Sequence, residues 1–97
     1  MRIIWSPLAI ERAREAAAYI AADKPDAALR WLEGLFNCVD RLGRFPLSGK
    51  IVPEISSKNF RQVLYGSYRV VYRVEALAVA ILTVRHVKRL FDESELD

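Results

Sequence analysis

The stretch Phe60–Arg89, FRQVLYGSYRVVYRVEALAVAILTVRHVKR, decides how this chain is read. Val70, Tyr72 and Val74 alternate with Arg69, Val71 and Arg73, the period of two that marks a strand with two unlike faces. Gly66-Ser67 fits a two-residue hairpin turn with Gly first. The stretch therefore predicts three strands, over about 60–65, 68–74 and 78–87. One face of such a sheet fills a core, while the other offers arginines to a partner.

Working outward toward the start, Met1–Trp5 reads as a short strand ended by Ser6-Pro7. Ser6 is a good helix N-cap, and Pro7 suits the first helical position, where its missing N–H is no loss. The helix that follows carries Ile10, Ala13, Ala17 and Ile20 on one stripe, with Glu11, Arg12, Arg14 and Glu15 outside and Glu11–Arg14 spaced for contact. Asp23-Lys24-Pro25-Asp26 breaks it and starts a second helix, whose stripe is Leu29, Leu32, Leu35/Phe36, Val39 and Leu42. Gly34 in mid-helix costs about 1 kcal/mol relative to Ala, which points to a close neighbour there, the first helix. Gly43 and Pro46 mark the end of the second helix. Phe45–Lys50 is a loop, Ile51–Ile55 an extended or loop segment limited by Pro53, and Ser56–Asn59 a turn. Leu90–Leu96 reads as a short helical turn or an acidic tail. The order is β-α-α-β-β-β, an α+β domain spanning 1–97 with a helical hairpin on one face of a small, mainly antiparallel sheet and the other face open.

Composition bounds the function. A chain of 97 residues with 53% hydrophobic content suits one folded domain. Cys38 has no second cysteine to pair with, and the sequence shows no signal-peptide pattern, so a reducing cytoplasm is expected. The longest apolar run, Ala76–Val84, is short of the ~20 residues a membrane helix needs. The net charge of +3 is unevenly spread: residues 1–49 carry +1, residues 50–91 carry +6 and residues 92–97 carry −4. The sheet-forming half is thus the basic one, suited to phosphates or to an acidic protein segment.

Arg61, Arg69, Arg73 and Arg85 are candidates to hold a phosphodiester, because guanidinium groups bind phosphate at two points. Glu54 as base and His86 as acid would complete an RNA-cleaving site. Strict alternation puts Arg85 with Val79, Ile81 and Thr83, and His86 with Ala80, Leu82 and Val84, on opposite faces. Arg61 falls on the apolar side if the hairpin turn is strictly two residues long, and beside Arg69 if it bulges. Trp5 and Trp31 read as core or rim aromatics. The sequence contains no Gly-rich phosphate loop, metal-ligand cluster or nucleophile triad, so no cofactor or metal is expected.

These residues together resemble the RelE/ParE superfamily of bacterial toxins, found in type II toxin–antitoxin modules. The resemblance runs along nearly the whole chain in order. It rests on Trp5-Ser6-Pro7, Tyr19-Ile20-Ala21, Pro25-Asp26-Ala27-Ala28, Phe45-Pro46 with Gly49, and Val52-Pro53-Glu54. Arg61, then Tyr68-Arg69-Val70-Val71-Tyr72-Arg73-Val74, and Val84-Arg85-His86 with Arg89 complete it. The fold it implies is the β-α-α-β-β-β order already read from turns and periodicity.

Two activities occur on that fold. RelE-like members cut messenger RNA on the ribosome, and in that pattern Glu54, Arg61, Arg69, Arg85 and His86 would be catalytic. ParE-like members, the plasmid-stabilisation branch, inhibit growth by poisoning DNA gyrase. The acid of the nuclease pattern should share Arg85's face, where Val87 stands here. The Phe45-Pro46-x-x-Gly49 loop and the Val84-x-His86-x-x-Arg89 ending look ParE-like. The resemblance therefore implies a gyrase inhibitor, with the ribosome-dependent endoribonuclease as alternative. It also implies a ParD- or RelB-like antitoxin, with Arg61, Arg69, Arg73, Arg85, Lys88 and Arg89 expected to bind target or antitoxin.

Overall fold

The structure, a computed structural model, describes residues 1–55, 59–89 and 93–96. In chain order it comprises β1 (Arg2–Trp5), α1 (Pro7–Ala21), α2 (Pro25–Arg44), β2 (Lys50–Ile51), β3 (Phe60–Tyr65), β4 (Tyr68–Val74), β5 (Ala78–His86) and a closing 3-10 turn, Glu93–Leu96. The expected order is present, with the two-residue β2 added before β3. The sheet runs β1-β5-β4-β3-β2, with β1 parallel to β5 and the other neighbours antiparallel. Most of the Ser56–Asn59 turn and the start of the Leu90–Leu96 segment lie outside the described residues. Among the described residues no helix is long and apolar enough to cross a membrane.

Ser6 begins α1 as its type predicts, its Oγ accepting the Ala9 N–H at 3.0 Å. The same hydroxyl donates to the Leu82 carbonyl at 2.9 Å, tying the helix start to the middle of β5. The buried stripe of α1 is Ala9, Ala13, Ala16 and Ala17, so it is rotated from the expected one and Ile10 stays 41% exposed. Alanines let the helix lie close on β5, which pushes the bulkier Ile10 to the flank, beside Trp5, Leu32 and Phe36. The ion pair on this helix is Arg12–Glu15 at 3.0 Å, in place of the expected Glu11–Arg14. On α2, Leu35, Val39 and Leu42 are buried as expected, but Leu29 and Phe36 remain largely exposed.

Gly34 answers to the sheet and not to α1. A Cβ there would lie 2.0 Å from the Tyr65 hydroxyl, which donates to the Trp31 carbonyl at 2.9 Å. The main core lies between the helices and one sheet face and includes Leu35, Val39, Leu42, Val70, Tyr72 and Ile81. Within it the Tyr72 hydroxyl accepts the Gly49 N–H at 2.9 Å and donates to the Pro46 carbonyl at 2.8 Å, pinning the loop that follows α2. Burial pushes this phenol's pKa above its ordinary value.

The opposite sheet face is not open. Val52, Val71, Leu82 and Leu96 form a second apolar cluster there, flanked by Ile55, Phe60 and Ala80. Val52 and Ile55, ahead of β3, and Leu96 of the closing turn supply its cover. Apolar residues on both sides of β4 and β5 explain the reason: Val71 and Leu82 needed cover as much as Val70 and Ile81 did.

Candidate functional site

The register of β4 on β5 sets which side chains meet. Val71 pairs with Thr83 but Tyr72 pairs with Ile81, so Leu82 is an extra residue and β5 bulges. Val79, Ile81 and Val84 consequently share the helix side, while Leu82, Thr83 and Arg85 share the outer side. The strict alternation that grouped Arg85 with Val79 and Ile81, and His86 with Ala80 and Leu82, is corrected by this single residue. Arg85 and His86 still point to opposite sides.

Arg69 pairs across the sheet with Arg85, on the outer side. Two guanidinium groups so close need counter-charge, and each has its own. Arg69 is 7% exposed and grips Glu54 at two points, 2.8 and 3.2 Å, with Gln62 Oε1 a further acceptor at 3.0 Å. Those hydrogen bonds hold the Glu54 carboxyl below its ordinary pKa, against a smaller opposing effect of desolvation. Arg85 is bound by Glu95 of the closing turn, which also accepts from Arg12 Nε at 3.3 Å and Thr83 Oγ1 at 3.4 Å. Arg73 pairs with Glu75 at 3.0 Å and lies over the Phe60 ring.

The four-arginine cluster does not assemble. Arg61 pairs with Tyr72 in the strictly two-residue hairpin, at a turn whose Gly66 has φ +56°. Its guanidinium donates to the Gly49 carbonyl at 2.8 Å, binding the loop on the helix side. His86 stacks edge-on against Tyr68 with ring centroids 5.3 Å apart, and its Nδ1 accepts the Lys88 N–H at 3.1 Å. It therefore closes the strand end on the side away from Glu54. Lys88 and Arg89 are exposed beyond it.

Glu54 is engaged by Arg69 on the outer side of the sheet and His86 packs on Tyr68 on the helix side, so the two do not face one another. Among the described residues no three His, Cys, Asp or Glu side chains are placed to share a metal ion. Sequence reasoning missed Arg12, Thr83, Glu95 and Leu96. Only the alternating charge of Arg12-x-x-Glu15 and the acidic run after residue 91 hinted at them, and neither signal says that the two segments meet.

Residues 3–91 match the family model for the ParE toxin of the type II toxin–antitoxin system parDE. The proposed toxin Y4kP of Sinorhizobium fredii is 37% identical over 87 residues, which cover 88% of this chain and 86% of that protein. Among solved structures, a chain of the chromosomal ParDE toxin–antitoxin system of P. aeruginosa superposes with a TM-score of 0.78 at 18% identity, covering 91% of this chain and 97% of that one. A chain of the RelBE2 toxin–antitoxin complex of Mycobacterium tuberculosis gives 0.58 at 22% identity, over 88% and 95%. The two structures share the fold, while the family match extends to sequence along the same elements that carry the paired arginines: this chain belongs to the ParE toxins of type II toxin–antitoxin systems.

Proposed function

We propose that this toxin acts by binding DNA gyrase in the cytoplasm and is neutralised by a cognate ParD-like antitoxin. The observation that carries this reading is the separation of Glu54 from His86 across the sheet. Glu54 is engaged with Arg69 on the outer side, and His86 packs on Tyr68 on the helix side. A surface of ion-paired arginines with exposed Lys88 and Arg89 beside it favours protein recognition over bond cleavage. The +6 charge on residues 50–91 suits an antitoxin segment rich in acidic residues.

The test is a pulse-label time course in bacteria after induction without antitoxin, following DNA and protein synthesis in parallel. DNA synthesis is expected to fall first. An earlier fall in protein synthesis would instead support the ribosome-dependent nuclease, and an unchanged pair of curves would refute toxicity of this chain under those conditions.

A further inference from the structure

Two arginines from distant elements, Arg12 of α1 and Arg85 of β5, converge on the single carboxylate of Glu95. Thr83 Oγ1 is a third donor, 3.4 Å from Glu95 Oε2. Arg12 also binds Glu15, which anchors its head at the recess. Glu95 is 8% exposed, so its charge is held almost wholly by these donors. Buried Arg85 Nε has no hydrogen-bond partner among the described residues, which leaves spare donor capacity beside the carboxylate. The next residue, Leu96, is equally buried and sits on Val52, Val71 and Leu82. A charged cradle and an apolar seat thus stand side by side, spaced for a glutamate followed by leucine.

What fills them is a four-residue 3-10 turn. Such a turn has little stability of its own and keeps its place through its two buried side chains. We propose that this recess is an exchangeable recognition site for an acidic–apolar segment of a partner protein, occupied in the free chain by its own Glu95-Leu96. The partner segment replaces the turn by presenting the same pair of groups to Arg12, Arg85 and Thr83 and to the apolar seat. The toxin reading supplies the antitoxin as that partner, and the inference rests on that reading only for the partner's identity.

Tethering favours the chain's own turn, as an attached competitor acts at millimolar effective concentration. Removing the occupant therefore raises affinity for an added peptide. The probe is a fluorescein-labelled peptide, Asp-Glu-Ser-Glu-Leu-Asp, titrated against the full chain and its Glu95→Ala/Leu96→Ala variant, with folding checked by circular dichroism. The folded variant is expected to bind at least about tenfold more tightly than the wild type. Peptides with glutamine for the second glutamate, or serine for the leucine, are expected to lose most of that affinity. A folded variant that binds no better than the wild type overturns the proposal. So does equal binding of the serine peptide, or displacement of the peptide by inorganic phosphate at matching concentration, since either marks a plain anion site. If the double variant does not fold, amide shifts in the wild-type chain at millimolar peptide replace it. They are expected at Arg12, Thr83 and Arg85, and their absence overturns the proposal equally. Because binding is read on purified protein, a failed growth-inhibition assay leaves this result untouched, and the two failures are distinguishable.

Discussion

Arg69 and Glu54 meet through two parallel contacts, Nη2 to Oε2 at 2.8 Å and Nη1 to Oε1 at 3.2 Å, with the guanidinium buried and the carboxylate half-exposed. The pair fastens the segment before β3 to the middle of the sheet. Its carboxyl pKa is depressed in the folded chain, so its stabilisation is present above the ordinary carboxylate pKa and is lost as pH falls through the lower folded value. Acid titration of unfolding should show this in the wild type, and Glu54→Gln should remove that part of the acid limb. Solvent screening limits the loss at neutral pH to about 1 kcal/mol. If Glu54 were a catalytic base, the same substitution would abolish toxicity; on the binding reading, toxicity largely survives.

Tyr72 makes a sharper stability prediction. Tyr72→Phe keeps the ring but strands the Gly49 N–H and the Pro46 carbonyl, at a cost of about 2 kcal/mol. Chemical denaturation measures it. The folded chain also holds the phenol proton more tightly than the unfolded one, so wild-type stability falls as pH rises past the ordinary tyrosine value of about 10. The phenylalanine variant lacks that component of the alkaline limb.

Gly34→Ala should destabilise despite alanine's better helix propensity. The gain of about 1 kcal/mol is outweighed by the ring of Tyr65, which must move and give up the Trp31 carbonyl. A lowered midpoint in thermal unfolding is the expected result, and a raised one would show that Tyr65 repacks without loss.

Lys88 and Arg89 are exposed cations in the described chain, and their charge is open to screening. Affinity for the antitoxin should weaken as salt rises, and the Lys88→Ser/Arg89→Ser variant should flatten that dependence, with stability changed by under about 0.5 kcal/mol. Calorimetry across a salt series checks both statements. Salt-independent binding would shift the interface onto apolar anchors.

Much of the fold was legible because its signals are local. Ser6-Pro7 and Pro25 announce helix starts, Gly66-Ser67 a hairpin, and Val70/Tyr72 alternation a two-faced strand, and each operates within a few residues. The β3, β4 and β5 limits were readable for that reason. What escaped depends on long-range contact. Leu82 carries no local mark of a bulge; the extra residue shows only in the pairing of β5 with β4, where the Leu82 carbonyl also accepts the Ser6 hydroxyl. The rotation of the α1 stripe follows from how closely alanines approach β5. Glu95 finds Arg12 across 83 residues of chain, a pairing no local pattern encodes. The candidate arginines were recognisable as residue types; which of them are already neutralised was not.

The bulge at Leu82 acts as a frame shift written in backbone. Every position after it is offset by one step against the sheet's two sides, while the letters of the sequence remain in line. Two homologous chains can therefore carry the same Arg-His pair at the same aligned place and present it to opposite worlds, one to the interior and one to a partner, if only one of them has the extra residue. Functional equivalence at this strand end has to be traced through hydrogen-bond pairing, and an ungapped alignment of Val84-Arg85-His86 with a relative's strand end does not establish it.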